Sequence, residues 1–178
     1  KAGREILTKT FRIIRPSYLT KVLEEGEGKP TPQLIESDSL FMVKASGVEL
    51  SVHKRTGLLM SVTNDKGIIP FNNGPVIQEG ANNFAGFTAR KDGDNVVISS
   101  TFERKEHYNT LEWVIYPTGI LRMTVNYFPA AYFTSMVGVN FSYPEQRIKA
   151  VTYMGDGPYR VWKNRMKGTQ FGVWTKEY

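Results

Sequence analysis

Apolar and polar residues alternate one for one along much of this chain, and a period of two commits a backbone to strands. Val48, Leu50 and Val52 interleave with Glu49, Ser51 and His53, and Leu121, Met123, Val125 and Tyr127 with Arg122, Thr124 and Asn126. Phe133, Val137, Val139, Phe141 and Tyr143 share one parity, opposed by Thr134, Asn140 and Ser142. Successive strand side chains point to opposite faces, so each run has one apolar and one wet face, the habit of antiparallel sheets. No stretch shows a convincing amphipathic-helix period, and the expected class is all-β.

The punctuation between these runs agrees. Lys54-Arg55-Thr56-Gly57, Asn64-Asp65-Lys66-Gly67, Lys91-Asp92-Gly93-Asp94 and Pro117-Thr118-Gly119 each separate two strand patterns. Glycine, Asn and Asp tolerate the positive φ that tight hairpins demand. Turns at such short intervals predict a large sandwich or barrel. Two stretches read as joints. Glu24 to Pro32 is charged and rich in Gly and Pro, a linker or exposed loop; the residues before it, Glu5 to Ile13, read as one lone strand, either the last of a preceding β-domain or the first of this one. The expected division is therefore 1–32, strand and linker, and 33–178, the main domain. Residues 72–86, with Asn72-Asn73-Gly74-Pro75 and Ala81-Asn82-Asn83, read as a long polar excursion between strands.

Charge and composition narrow the function classes. The chain carries 23 basic and 17 acidic residues, a net +6. Its cations are scattered rather than gathered, a pattern that serves solubility and edge protection more than nucleic-acid recognition. No apolar run reaches the length of a membrane span. Absence of cysteine removes disulfides and thiolate metal sites. His53 and His107 have no partners at ligand spacing, so neither metal nor cofactor is expected. A chain that opens on Lys1 reads as a processed or excised piece whose parent's targeting signal is out of view; the compartment stays open, with periplasmic or secreted favoured.

The densest cluster of special residues comes late: Gly155-Asp156-Gly157-Pro158-Tyr159-Arg160-Val161-Trp162-Lys163-Asn164-Arg165, directly after the strand pattern Ile148 to Met154. Tyr153-x-Gly155-x-Gly157-Pro158-Tyr159 and Arg165 keep the order and spacing of a Gly-x-Gly-Pro signature. That signature belongs to the last domain, the small chain, of family 2 glycoside hydrolases of the β-galactosidase type, which this run resembles. Val48 to Val62 followed by Phe71-Asn72-Asn73-Gly74-Pro75-Val76 resembles the opening hairpin and polar loop of the same domain. Arg160 and Val161 stand where the family has Glu and Asn, so the chain reads as a divergent branch.

The resemblance implies an antiparallel β-supersandwich of the galactose-mutarotase-like type, represented by its N-terminal part. It also implies an accessory carbohydrate-handling role, bracing a catalytic (β/α)₈ barrel of the same parent and helping to shape a pocket for a β-linked sugar. The family's catalytic glutamates sit in that barrel, so no catalytic residue is expected here. The candidate substrate contacts are Tyr159 and Trp162, which offer stacking surface, and Asn164 and Arg165, which offer hydrogen bonds to hydroxyls. The same loop also reads as a scaffold in which Arg165 satisfies backbone carbonyls. Trp113 and Trp174, inside strands, read as packing residues. Glu103, Glu106 and His107 read as a solvated hairpin tip rather than an acid/base pair. Two further classes stay open: a free-standing carbohydrate-binding module and a basic nucleic-acid-binding β-domain that stacks single strands on Tyr159 and Trp162.

Overall fold

The alternating pattern is realised as antiparallel strands, with register shifts between Ser51 and Val52, Phe84 and Gly86, and Asn140 and Ser142. The computed structural model describes residues 13, 16–78, 83–103, 108–126, 128, 133, 135, 136, 138–158 and 169–178. The chain divides into two compact units, Ser17–Tyr143 and a smaller one formed by Lys1–Pro16 with Pro144–Tyr178.

The larger unit begins with helix α1 (Pro16–Glu24) and continues as strands β1 (Gln33–Glu36), β2 (Leu40–Ala45), β3 (Val48–His53), β4 (Leu59–Asn64), β5 (Gly67–Ile69), β6 (Asn72–Ile77), β7 (Asn83–Asp92), β8 (Asn95–Glu103), β9 (Tyr108–Ile115), β10 (Leu121–Asn126) and β11 (Val139–Ser142). The first five form one antiparallel sheet in sequence order, and β10-β9-β8-β7 form a second. Strands β6 and β11 make a separate antiparallel pair. Residues opposite one another share a face, so Leu50 lies between Val43 and Val62, and Ile98 beside Trp113. Val43, Leu50, Val52 and Leu59 of the first sheet and Val96, Ile98, Leu111 and Trp113 of the second build one core, each at most 7% exposed. Burying such side chains contributes roughly 1.5–3 kcal/mol apiece, the main force holding the two sheets together.

The turns read from the sequence at Gly57, Gly67, Gly93 and Gly119 are realised at positive φ, and a further one that was not read lies between β2 and β3. Ser46 and Gly47, at φ 45 and 78, form the two-residue link between β2 and β3. Gly93 at φ 58 and Gly119 at φ 82 close the β7–β8 and β9–β10 connections. The Ser46 hydroxyl donates to the Pro117 carbonyl at 3.0 Å and accepts from Lys29 Nζ at 3.3 Å, joining the two turns at one end of the unit.

Three features depart from the sequence reading. Helix α1 occupies a stretch where no helix was expected; its nine residues are too short to display a clear period, although Pro16 stands at its first position. Asn72 to Ile77 is strand rather than polar excursion, because β11 supplies backbone partners that local composition does not announce. Gly74 makes that pairing possible: a Cβ there would strike the Asn140 carbonyl and the Phe141 ring. Strand β11 begins only at Val139, well after the alternation from Phe133 suggests, and Phe133 is 87% exposed.

The smaller unit holds a 3₁₀ turn (Glu145–Arg147) and an antiparallel pair, β12 (Ala150–Gly157) with β13 (Gln170–Glu177), in register from Ala150↔Glu177 to Gly157↔Gln170. Tyr178 folds back to donate its hydroxyl to Glu145 at 2.6 Å. The all-β antiparallel architecture is what the alternation predicted; the one short helix is not.

Candidate functional site

The Gly-Pro signature sits at the end of β12, where its glycines meet Trp174. Across the hairpin Tyr153 opposes Trp174 and Gly155 opposes Gly172. Pairing on one face lets the indole lie across the glycine column: its Nε1–H donates to the Gly155 carbonyl at 3.0 Å. A Cβ on Gly157 would come within 2.7 Å of Trp174 Cδ1 and Nε1 and 2.9 Å of the Tyr153 hydroxyl. Gly157 is thus a packing requirement, and Trp174 a packing residue, as its strand position suggested. The Gly157–Pro158 and Gly74–Pro75 peptide bonds, one in each stretch carrying the family resemblance, are both cis. Tyr159, Trp162, Asn164 and Arg165, the candidate sugar contacts, lie outside the described residues, as do Glu106 and His107. Glu103 ends β8 with its side chain exposed.

A second place, unmarked in the sequence, lies where the β3–β4 turn meets β6, β7 and β8. It is a cleft of about 300 Å³. Leu58, Pro75, Ile77 and the rings of Phe84 and Phe102 form its walls, with Arg55 and Thr56 at the polar edge. The two rings meet edge to face with centroids 5.9 Å apart, a favoured aromatic geometry. The turn is held down at Gly57, at φ +68, where a Cβ would lie 2.6 Å from Ser100 Oγ and 2.9 Å from Phe84 Cε2. Fully buried Ser100 donates its hydroxyl to the Gly57 carbonyl at 3.4 Å. His53 Nδ1 lies 3.2 Å from Thr56 Oγ1, and the Leu58 N–H donates to that oxygen at 3.4 Å. The sequence marked Gly57 as a turn signal and Gly74-Pro75 as part of a polar excursion. Phe84 and Phe102 carry no spacing signal, since only the β7–β8 pairing, Phe84↔Phe102, brings them together.

A third cluster ties the helix to the second sheet. Arg122 of β10 reaches Glu24 of α1 at 3.7 Å, and its guanidinium lies 5.5 Å over the Tyr116 ring. Burial raises the Tyr116 pKa above 10.0; Arg122 opposes the shift, while charge and hydrogen bonding at Glu24 add to it. The hydroxyl therefore stays protonated at neutral pH and serves as a donor.

No protein-family model matches the chain, and no curated protein sequence matches it.

Proposed function

We propose that the chain is an accessory carbohydrate-handling domain of a β-galactosidase-like glycoside hydrolase. In this reading it is the N-terminal part of a galactose-mutarotase-like supersandwich, whose partner is the catalytic barrel of the same parent chain. The observation that carries the reading is the Tyr153-x-Gly155-x-Gly157-Pro158 run, in which Gly157 is fixed by side-chain packing: Trp174 leaves no room for a Cβ there, and its indole N–H donates to the Gly155 carbonyl. A glycine that sterics enforce, directly before the proline of the run, is unlike a chance small residue. The antiparallel sheets and the strand following the signature support it in the order the family shows. The role is to brace and shape rather than to catalyse, because retaining hydrolysis needs two carboxyl groups about 5–5.5 Å apart and no glutamate here falls in a family catalytic motif. Lys44, Lys54, Arg90 and Arg122 are each paired with a carboxylate, which disfavours a phosphate-tracking groove on those strands.

Hydrolysis of a chromogenic β-galactoside by the intact parent and by this chain alone tests the reading. Turnover is expected from the parent only. Turnover by the isolated chain that Glu103→Gln or Glu112→Gln abolishes would overturn it, and a parent without a glutamate-bearing barrel would leave the free-standing binding module in its place.

A further inference from the structure

The cleft beside the β3–β4 turn has a chemistry of its own. Its interior is hydrocarbon and aromatic: Leu58, Pro75, Ile77, Phe84 and Phe102. Its volume of about 300 Å³ falls at the small end of ligand pockets, which run from roughly 300 to 1,000 Å³. Polar groups at the edge are few, and one is already committed, because Thr56 Oγ1 is shared between His53 Nδ1 and the Leu58 N–H. Arg55 is exposed and forms no ion pair with any described residue. The edge is also held in place: the αL turn at Gly57, two residues on, is clamped by Ser100 and Phe84. A fixed edge of this kind reduces the ordering cost of binding.

We propose that this cleft binds a small amphipathic anion, a single apolar ring or branched hydrocarbon body bearing one carboxylate. The body lies against Phe84, Phe102 and Leu58, and the carboxylate pairs with the Arg55 guanidinium, whose planar fork matches it. A free pyranose does not suit the site. With a hydroxyl on nearly every carbon it would bury several polar groups against apolar walls, and each buried group without a partner is costly. The assignment is independent of the accessory-domain reading and survives its failure.

Phenylacetate, its uncharged counterpart benzyl alcohol, and galactose are the probes, titrated into the chain and followed by amide and methyl NMR shifts. Phenylacetate is expected to bind with Kd of about 1 mM or tighter, shifting Arg55, Leu58, Ile77 and Phe84. Losing the charged hydrogen bond in Arg55→Gln should weaken it about tenfold, and benzyl alcohol should match that weakened affinity in the wild-type chain. Ile77→Trp, which fills the cleft, should abolish the shifts while circular dichroism stays native. Saturable phenylacetate binding that neither variant alters, an equal response to galactose, or no shift at the cleft residues overturns the proposal.

Discussion

Gly57→Ala separates backbone strain from steric contact at the turn that forms the cleft edge. Two costs add there. A residue with a Cβ pays about 1 kcal/mol to hold a left-handed conformation, and Gly57 sits at φ +68. The added carbon would then lie 2.6 Å from Ser100 Oγ and 2.9 Å from both Ser100 Cβ and Phe84 Cε2. Ser100 is 0% exposed on a central strand, so it cannot swing aside, and overpacking of this kind costs about 1–3 kcal/mol. The expected loss is about 3 kcal/mol, a large share of a typical domain's 5–15 kcal/mol. Gly93→Ala is the control: φ is +58 there but nothing lies within 4 Å of the new carbon, so only the strain of about 1 kcal/mol remains. Ser100→Ala in the Gly57→Ala background should recover part of the difference, a coupling of about 1 kcal/mol in a double-mutant cycle. Urea unfolding followed by tryptophan fluorescence, read as midpoint shifts at constant slope, measures all five proteins, the Ser100→Ala single variant included. If Gly57→Ala falls within about 0.5 kcal/mol of Gly93→Ala, the clamp does not exist.

Three further outcomes follow from the geometry. Gly157→Ala drives a methyl into Trp174 and Tyr153; it should blue- or red-shift the Trp174 emission and speed amide exchange across β12 and β13 before global unfolding, and unchanged exchange would count against the packing role. Tyr116 is held protonated by burial and by Glu24. Since its folded pKa lies above the unfolded value near 10, its contribution is whole below that value and is lost as pH rises through the folded pKa. Urea midpoints from about pH 9 to 11 should therefore fall in the wild type and fall less in Tyr116→Phe. Ser46→Ala removes the hydroxyl that links Lys29 and the Pro117 carbonyl and should cost about 1 kcal/mol in the same urea assay.

Much of the larger unit was legible because its local signals agree with its long-range pairing. Val48, Leu50 and Val52 alternate, and the turns at Asp65-Lys66 and Gly93-Asp94 are short enough to fix register on their own. Strand β6 was not, because Asn72, Asn73, Gly74 and Pro75 are loop formers locally, and their pairing with β11 joins residues more than sixty positions apart. The cleft was hidden for the same reason: Arg55, Pro75, Phe84 and Phe102 converge only after the sheets are assembled. The burial of Trp113 was readable from its apolar flanks, but its Nε1–H, buried without a partner among the described residues, could not be foreseen from sequence. In the Gly-Pro run the signal for Gly157 was present as a motif, whereas its physical cause, the indole of Trp174, comes from the opposite strand.

The segment between α1 and β1 looks expendable by composition, yet it is anchored at both ends and at points between. Glu24 meets Arg122 on the second sheet, a Cβ at Gly26 would lie 2.7 Å from the Pro117 ring, Lys29 reaches Ser46, and Pro32 is buried as the chain enters the first sheet. It runs as a fixed-length strap from one sheet to the other. Most of its side chains face solvent, so point changes at Glu25, Glu27 or Thr31 leave its path intact. Deleting or adding a residue shifts every anchor at once. The strap should therefore drift freely in sequence while holding its length, and an alignment judging importance by residue identity alone would overlook it.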